Sequence, residues 1–362
     1  MTAANTEGAV AAATDRGTGP DPDEAQRAIE YCYEQGWSDG LPLVPVSRPL
    51  LDEFLATTDK EPDEILGALE QVGRDVNVRT AAINAAMAGC RPEYFPVVLA
   101  AFEAIMRERA ARGGGFQSTS GPAPLIVVNG PVRQELGFNC AGGVFGGDGF
   151  RPNVTVPRAI GLIVRNAFGI HQHVLGQATQ GVPGRWQICF GENEEESPWE
   201  PLAENGGVGG GASAVSATLT RTMEFVDNRH TPNHEDVLRD LADTISRTGS
   251  QIFPQSSVAL VLCPEHAQMF ASAGMSKQDV QNWLLERSGR TGAELTRMGK
   301  KEVARPSMRD REYEGDEAFH KFLSGPTSIP VIVAGAKNAA ISMVVRVFGE
   351  WSGTSVPVVE KK

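Results

Sequence analysis

The spacing of apolar and polar positions divides the chain into helical and extended stretches. Asp21-Pro22-Asp23-Glu24 predicts a helix start, with a capping aspartate, a proline in the first turn and an acid three residues after the cap. Ala25, Ala28, Ile29, Cys32 and Tyr33 form its apolar face, and Gly36 ends it. Trp37 to Val46 carries Pro42 and Pro45 and reads as an extended segment entered by a turn. Ser47 then caps a helix bearing Leu50, Leu51, Phe54 and Leu55. Longer helices are predicted over 78–88 and 92–109, the second with a stripe of Phe95, Val98, Leu99, Phe102, Ile105 and Met106. Thr155 is expected to cap a helix built on Ile160, Ile163, Val164 and Ala167. Further helices are expected at 235–247 and at 277–287, where Ser276 is the cap and Asp279 follows three residues on.

Short apolar runs stand between these helices. Leu125–Val128 ends in Asn129-Gly130-Pro131, residues 258–262 end in Cys263-Pro264-Glu265-His266, and residues 330–334 end in Gly335-Ala336-Lys337. A fourth run, Trp186–Phe190, empties into the acidic stretch Gly191-Glu192-Asn193-Glu194-Glu195-Glu196. Strand runs separated by helical patterns predict an α/β fold: a mixed, partly parallel sheet or sheets with flanking helices and long glycine-rich loops. Ligands in such folds gather at the carboxyl ends of strands, where these turns lie. The expected organisation is a disordered tail over 1–20, a helical N-terminal region over 21–112 and an α/β body over 113–362. That body divides further into 113–215 and 216–362. Residues 113–120 and 205–213 read as glycine-rich connectors, and the charged segment 297–317 as a surface excursion.

Composition narrows the function classes. A chain of 362 residues with 41% apolar content can bury one large core or a few smaller ones. A net charge of −12, with no lysine- or arginine-rich run, argues against nucleic acid or anionic membrane partners. No apolar run reaches the roughly 18 residues of a membrane-spanning helix. Five cysteines, none in Cys-x-x-Cys spacing, disfavour a dithiol or zinc-finger site and fit a reduced, cytoplasmic protein. Phosphate-loop, dinucleotide, nucleophile-elbow and zincin motifs are not found.

The chemistry-bearing residues centre on Gly137 to Ile160. Its glycines at 142, 143, 146, 147 and 149 let the backbone approach a ligand closely, and Asn139, Cys140, Asp148, Arg151 and Asn153 surround the bend. Cys140 reads either as a nucleophile, its thiol activated by Arg151 or a helix terminus, or as an inert core cysteine. Glu192, Glu194, Glu195 and Glu196 read as paired carboxylates for proton transfer or as a solvated loop. His171 and His173, on an extended segment, either share a metal or lie on the surface. His266 reads as a general base or a helix cap.

Several segments together carry a resemblance: Gly36 to Pro45, Met87 to Pro96, Leu125 to Pro131, Gly149 to Asn153, Glu192 to Trp199 and Pro264 to Ala267. They resemble a bacterial family found beside, or fused to, small UGSC-type proteins with a (seleno)cysteine-Gly-Ser-Cys motif, often labelled thioredoxin-like. The resemblance implies that Cys90, Arg151, Asn153, the acidic loop and His266 occupy family motif positions. The Gly-Ser-Cys motif itself is absent from this chain, so a redox thiol or selenol, where the chemistry needs one, comes from a separate small partner. Cys140, where the family usually has serine, and the His171/His173 pair depart from the family pattern.

These readings converge on a cytoplasmic, homo-oligomeric enzyme that performs lyase, hydratase or group-transfer chemistry on a small polar or carboxylate-bearing metabolite. Arg151 and Asn153 are expected to bind an anionic group, with Asp39, Asn129 and Asn139 completing the substrate contacts. Glu192, Glu194, Glu195 and His266 are expected to move protons, with Cys140 as nucleophile. Two alternatives stand beside this: a substrate-binding or scaffold subunit of a two-component thiol/selenol redox system, and a metal-dependent enzyme using His171 and His173. No cofactor is favoured, a divalent metal being the alternative.

Overall fold

A computed structural model of the chain describes residues 21–248, 257–300, 315–323 and 325–361. The expected tail over 1–20 and residues 301–314 of the charged excursion lie outside the described residues. Four helices begin the fold: α1 (Pro22–Glu34), α2 (Arg48–Leu55), α3 (Val78–Met87) and α4 (Phe95–Arg107). Asp21 and Ser47 cap the first two, their side chains accepting from the amides of Asp23 and Leu50. Between α2 and α3 lies an antiparallel hairpin, β1 (Ile65–Leu69) and β2 (Arg74–Asn77), which the sequence pattern had not indicated. Helix α4 is apolar on nearly every side and is buried accordingly, packed between the hairpin, α3 and the main sheet.

Helix α5 (Arg151–Asn166) begins earlier than expected. Pro152 sits in its first turn, where the missing N–H has no helical partner to lose, so the helix starts at Arg151 and not beyond Thr155. Thr155 is therefore interior, and its hydroxyl donates back to the Arg151 carbonyl at 2.8 Å.

The main sheet has the order β4 (Cys189–Gly191), β3 (Ala123–Asn129), β5 (Ala214–Asp227), β10 (Ile341–Val347), β6 (Val258–Leu262) and β9 (Val331–Val333); β11 (Val356–Pro357) pairs with the start of β5. A separate antiparallel pair joins β7 (Gly289–Thr291) to β8 (Phe319–Lys321). β3 and β4 are parallel, as are β6 and β9, and antiparallel contacts through β5 and β10 join the two pairs. The fold is thus mixed α/β, with a partly parallel sheet and flanking helices.

The sheet is curled. One core fills the inside of the curl with Leu125, Val127, Phe190, Ala259, Val261 and Val345. The alternate residues of the same strands face outward. Ile126, Val128 and Cys189 meet α3, α4 and α5, whereas Leu260, Leu262 and Val344 meet α6 (His234–Thr248), α7 (Pro264–Ser272) and α8 (Lys277–Arg287). The curl carries the two edge strands toward each other, and the Asn193 amide donates to the Val333 carbonyl at 2.7 Å. The carboxyl ends of β3, β4, β6 and β9 therefore converge at one seam.

Candidate active site at the seam of the sheet

The seam is held from beneath by Glu192, whose residue is wholly buried. Its Oε2 accepts from Asn129 Nδ2 and the Leu202 amide, each at 2.7 Å, and its Oε1 from the Val333 amide at 3.2 Å. One carboxylate thus joins the ends of β3 and β9 and the helical turn Leu202–Asn205. Burial raises the Glu192 pKa; the Lys277 charge and these donors oppose that rise without cancelling it.

Above Glu192 lies Arg133, in the helical turn Val132–Glu135 that follows β3. Gly130 makes this turn feasible: its φ is +80°, and a Cβ there would lie 2.6 Å from the Ala212 carbonyl oxygen. The Arg133 side chain is 3% exposed. It donates to the carbonyls of Gly130 and Glu192, bonds Glu195 through two nitrogens at 3.2 and 3.0 Å, and pairs with Glu194 at 3.0 Å. Burial works against the guanidinium charge, but Glu195 and Glu194 outweigh it and raise the Arg133 pKa. The same pairing lowers that of Glu195. Glu194 is anchored further by Asn129 Nδ2 and the Gly130 amide. Asn129 Oδ1 is buried and has no hydrogen-bond partner among the described residues.

Cys140 completes the cluster, with its Sγ 3.7 Å from Arg133 Nη1. Burial raises its pKa, Arg133 pulls it down, and Glu195 and Glu194 push it back up, so the resting group is a thiol. Asn153, fully buried at the start of α5, fixes the adjoining backbone. Its Oδ1 accepts from the Asn139 amide at 2.9 Å, and its Nδ2 donates to the carbonyls of Asn139 and Cys189. Asn139 folds its own side chain onto Gly142 O and the Ala141 amide, shaping the entry to the glycine-rich loop. Gly191 lies against the thiol, and a Cβ there would collide with Cys140 Sγ and come within 3.2 Å of the Arg133 side chain.

The structure brings together Cys140, Asn129, Asn139, Asn153, Glu192, Glu194 and Glu195, and separates them from the other sequence candidates. Arg151 donates to the Gly89 carbonyl at 2.9 Å. Asp39 is bound at 2.8 and 2.9 Å by Arg158, which also holds the carbonyls of Leu41, Pro42 and Ala88. His266 is fully buried between Ser342 and the Asn228 carbonyl. His171 and His173 lie in a turn closed by the Gly176 amide on the His171 carbonyl, and His173 has φ +66°, so the segment is not extended. Cys90 is buried near Thr155, and burial pushes its thiol up to about 12. Among the described residues no group of three or more His, Cys, Asp and Glu side chains is placed to hold a metal ion. No helix among them is long and apolar enough to cross a membrane.

Arg133 was not singled out from the sequence. Its signal is local: a single arginine in the turn Pro131-Val132-Arg133, directly after a strand that ends in Asn-Gly. Comparison of the chain with models of known protein families finds no match, and comparison with curated proteins finds none either.

Proposed function

We propose that the protein is an enzyme that binds a small carboxylate-bearing metabolite at Arg133 and transforms it by polar group-transfer or elimination chemistry, with Cys140 as nucleophile. The observation that carries this reading is a buried guanidinium set between a thiol and two glutamates, one of which, Glu195, has a side chain 53% exposed. A substrate carboxylate matches the fork that Glu195 occupies, and displacing an exposed side chain costs little. Bound there, the substrate lies beside the sulfur, which turns an encounter into an intramolecular step.

Displacement also frees a base. Glu195 owes its lowered pKa first to its bond with Arg133. Released, it returns toward an ordinary carboxylate and can accept the Cys140 proton as the sulfur attacks. Glu194 keeps its bonds to Gly130 and Asn129 and holds Arg133 in place. The resemblance to the UGSC-associated family supports a role for the acidic loop and Asn153, which occupy its motif positions, and leaves Cys140 as this chain's departure from it. It extends the proposal to a cytoplasmic homo-oligomer working with a small thiol or selenol protein.

The test is incubation of the protein with a cell-free metabolite extract, followed by mass spectrometry for carboxylates that disappear. The expected result is a carboxylate consumed by the wild type, untouched by Cys140→Ala and consumed more slowly by Arg133→Lys. Equal consumption by wild type and Cys140→Ala removes the cysteine mechanism.

A further inference from the structure

Beside the seam, the inside of the curl opens into a cavity of about 800 Å³. This is the size of a small-molecule site. The glycine-rich loop Gly142–Gly146 forms one side, and Met223, Val261, Ile341 and Met343 give the opposing side its apolar character. Cys263 also lines it. That residue follows β6 and precedes the first turn of α7, so its thiol lies where strand, helix and cavity meet.

Behind the thiol is a chain of hydrogen bonds. Cys263 Sγ is 3.6 Å from Ser342 Oγ, and Ser342 Oγ is 2.8 Å from His266 Nδ1. His266 Nε2 is 3.2 Å from the Asn228 carbonyl oxygen. A carbonyl only accepts, so Nε2 carries the ring proton and Nδ1 is the acceptor that takes the serine proton. The Ser342 hydroxyl also stands in donor geometry to Cys263 Sγ, so its one proton serves either the sulfur or His266 Nδ1, and when it turns to Nδ1 the thiol proton faces the Ser342 oxygen. The Cys263 amide donates to the same hydroxyl at 3.1 Å and holds it in position. Cys263, Ser342 and His266 are 2%, 1% and 0% exposed. A buried serine–histidine pair alone would be a satisfied piece of core. Here it ends in a thiol on the wall of a ligand-sized cavity.

The charges around the relay are consistent with a neutral base. Burial lowers the His266 pKa, and the Asn228 carbonyl, Glu265 and Asp240 oppose that shift without cancelling it. Burial raises the Cys263 pKa, the His266 amide and Ser342 oppose the rise, and Glu265 adds to it. Near pH 7 both partners are neutral, the arrangement in which a thiol reacts only as its proton is removed.

We propose that this cavity is a second reactive site, in which Cys263 adds to a small apolar α,β-unsaturated carbonyl compound while Ser342 and His266 take up the thiol proton. The sulfur forms a bond to the β-carbon and the double-bond electron pair moves toward the carbonyl. The thiol proton passes to Ser342 Oγ as the serine proton passes to His266 Nδ1. The imidazolium then returns a proton along the same path to the α-carbon. The net change is addition of S–H across C=C, with no oxidant or reductant consumed. The apolar wall selects the ligand's body, and the site stands independently of the role given to Cys140.

The experiment is alkylation of the full-length protein by N-phenylmaleimide, an uncharged conjugated carbonyl probe. Peptide mapping distinguishes Cys263 from the other four cysteines. Cys263 is expected to react at a rate that stays flat between about pH 6.5 and 8.5, because the base is built in. In Ser342→Ala the rate should fall roughly tenfold and then climb about tenfold per pH unit, as for an unassisted thiol. Ser342→Thr, which keeps the hydroxyl, should restore the flat profile. A wild-type profile that climbs tenfold per unit, or a Cys263 that stays unmodified in the folded protein, overturns the proposal. If Ser342→Ala fails to fold, the wild-type profile decides alone.

Discussion

Arg133 and Arg158 each divide a guanidinium between carboxylate and backbone carbonyl oxygens, yet they serve the fold in different ways. Arg158 ties Asp39 and the carbonyls of Leu41, Pro42 and Ala88 to α5, and arginine and aspartate side chains are 17% and 21% exposed. The thiol within its electrostatic reach, Cys90, is buried with its pKa pushed up to about 12, and Arg158 fastens the extended segment between α1 and α2. Arg133 is more deeply buried, touches a thiol and shares its charge with a glutamate that faces solvent. An arginine–carboxylate pair becomes a candidate site when one partner can leave without unfolding the support. The support at the seam is Glu192.

The largest expected effect comes from removing that support. Glu192→Ala leaves the amides of Leu202 and Val333 without their acceptor and the Asn129 side-chain amide with Glu194 alone. It should cost on the order of 3–5 kcal/mol in urea unfolding. A loss below about 1 kcal/mol would mean that the seam is closed by the strands alone. Next, Asp39→Asn should lower stability by about 1–2 kcal/mol while leaving the alkylation rate of Cys140 unchanged. A change in that rate would join the two arginine clusters that the structure keeps apart.

A smaller and opposite pattern is expected from Glu195→Gln. Its side chain is half in solvent, so stability should move by no more than about 0.5 kcal/mol. Removing a negative charge near the sulfur should instead shift the pH profile of Cys140 alkylation by iodoacetamide to lower pH and speed the reaction a few-fold at neutral pH. An unmoved profile would separate Glu195 from the thiol. The subtlest difference concerns pH. Burial raises the Glu192 pKa, so the folded state holds that proton more tightly than the unfolded chain. Its contribution to stability is complete below about pH 4.3 and is lost as pH rises through the folded value. Wild-type unfolding free energy should therefore fall more steeply with pH over that window than that of Glu192→Gln. Parallel curves would contradict the raised pKa.

Local signals were legible in the sequence, and long-range closure was not. The Asp21, Ser47 and Ser276 caps, the stripe of α4 and the strand runs at 125–128, 258–262 and 330–334, which the structure forms as 123–129, 258–262 and 331–333, follow from spacing and composition. β5 escaped notice because its first half is buried on both faces by Ala214, Ser216, Thr218 and Thr220 alternating with Val215, Ala217 and Leu219. Small hydroxylated residues inside a core blur the alternation that marks a strand. The acidic loop and Cys140 were visible as chemistry, but their meeting depends on the curl. Arg151 resembled an anion ligand beside the glycine loop; as the first residue of α5, it instead bonds the Gly89 carbonyl.

The bond between Glu192 and the Val333 amide has a consequence in time. These residues are 141 positions apart. On a ribosome adding about 5–20 residues per second, the carboxylate waits on the order of ten seconds for its last donor to be made. Arg133, Cys140 and the glutamates can gather early, but the platform beneath them is finished only when the final strands arrive. A nascent chain arrested before β9 would carry every reactive group of the seam and lack the geometry that aligns them.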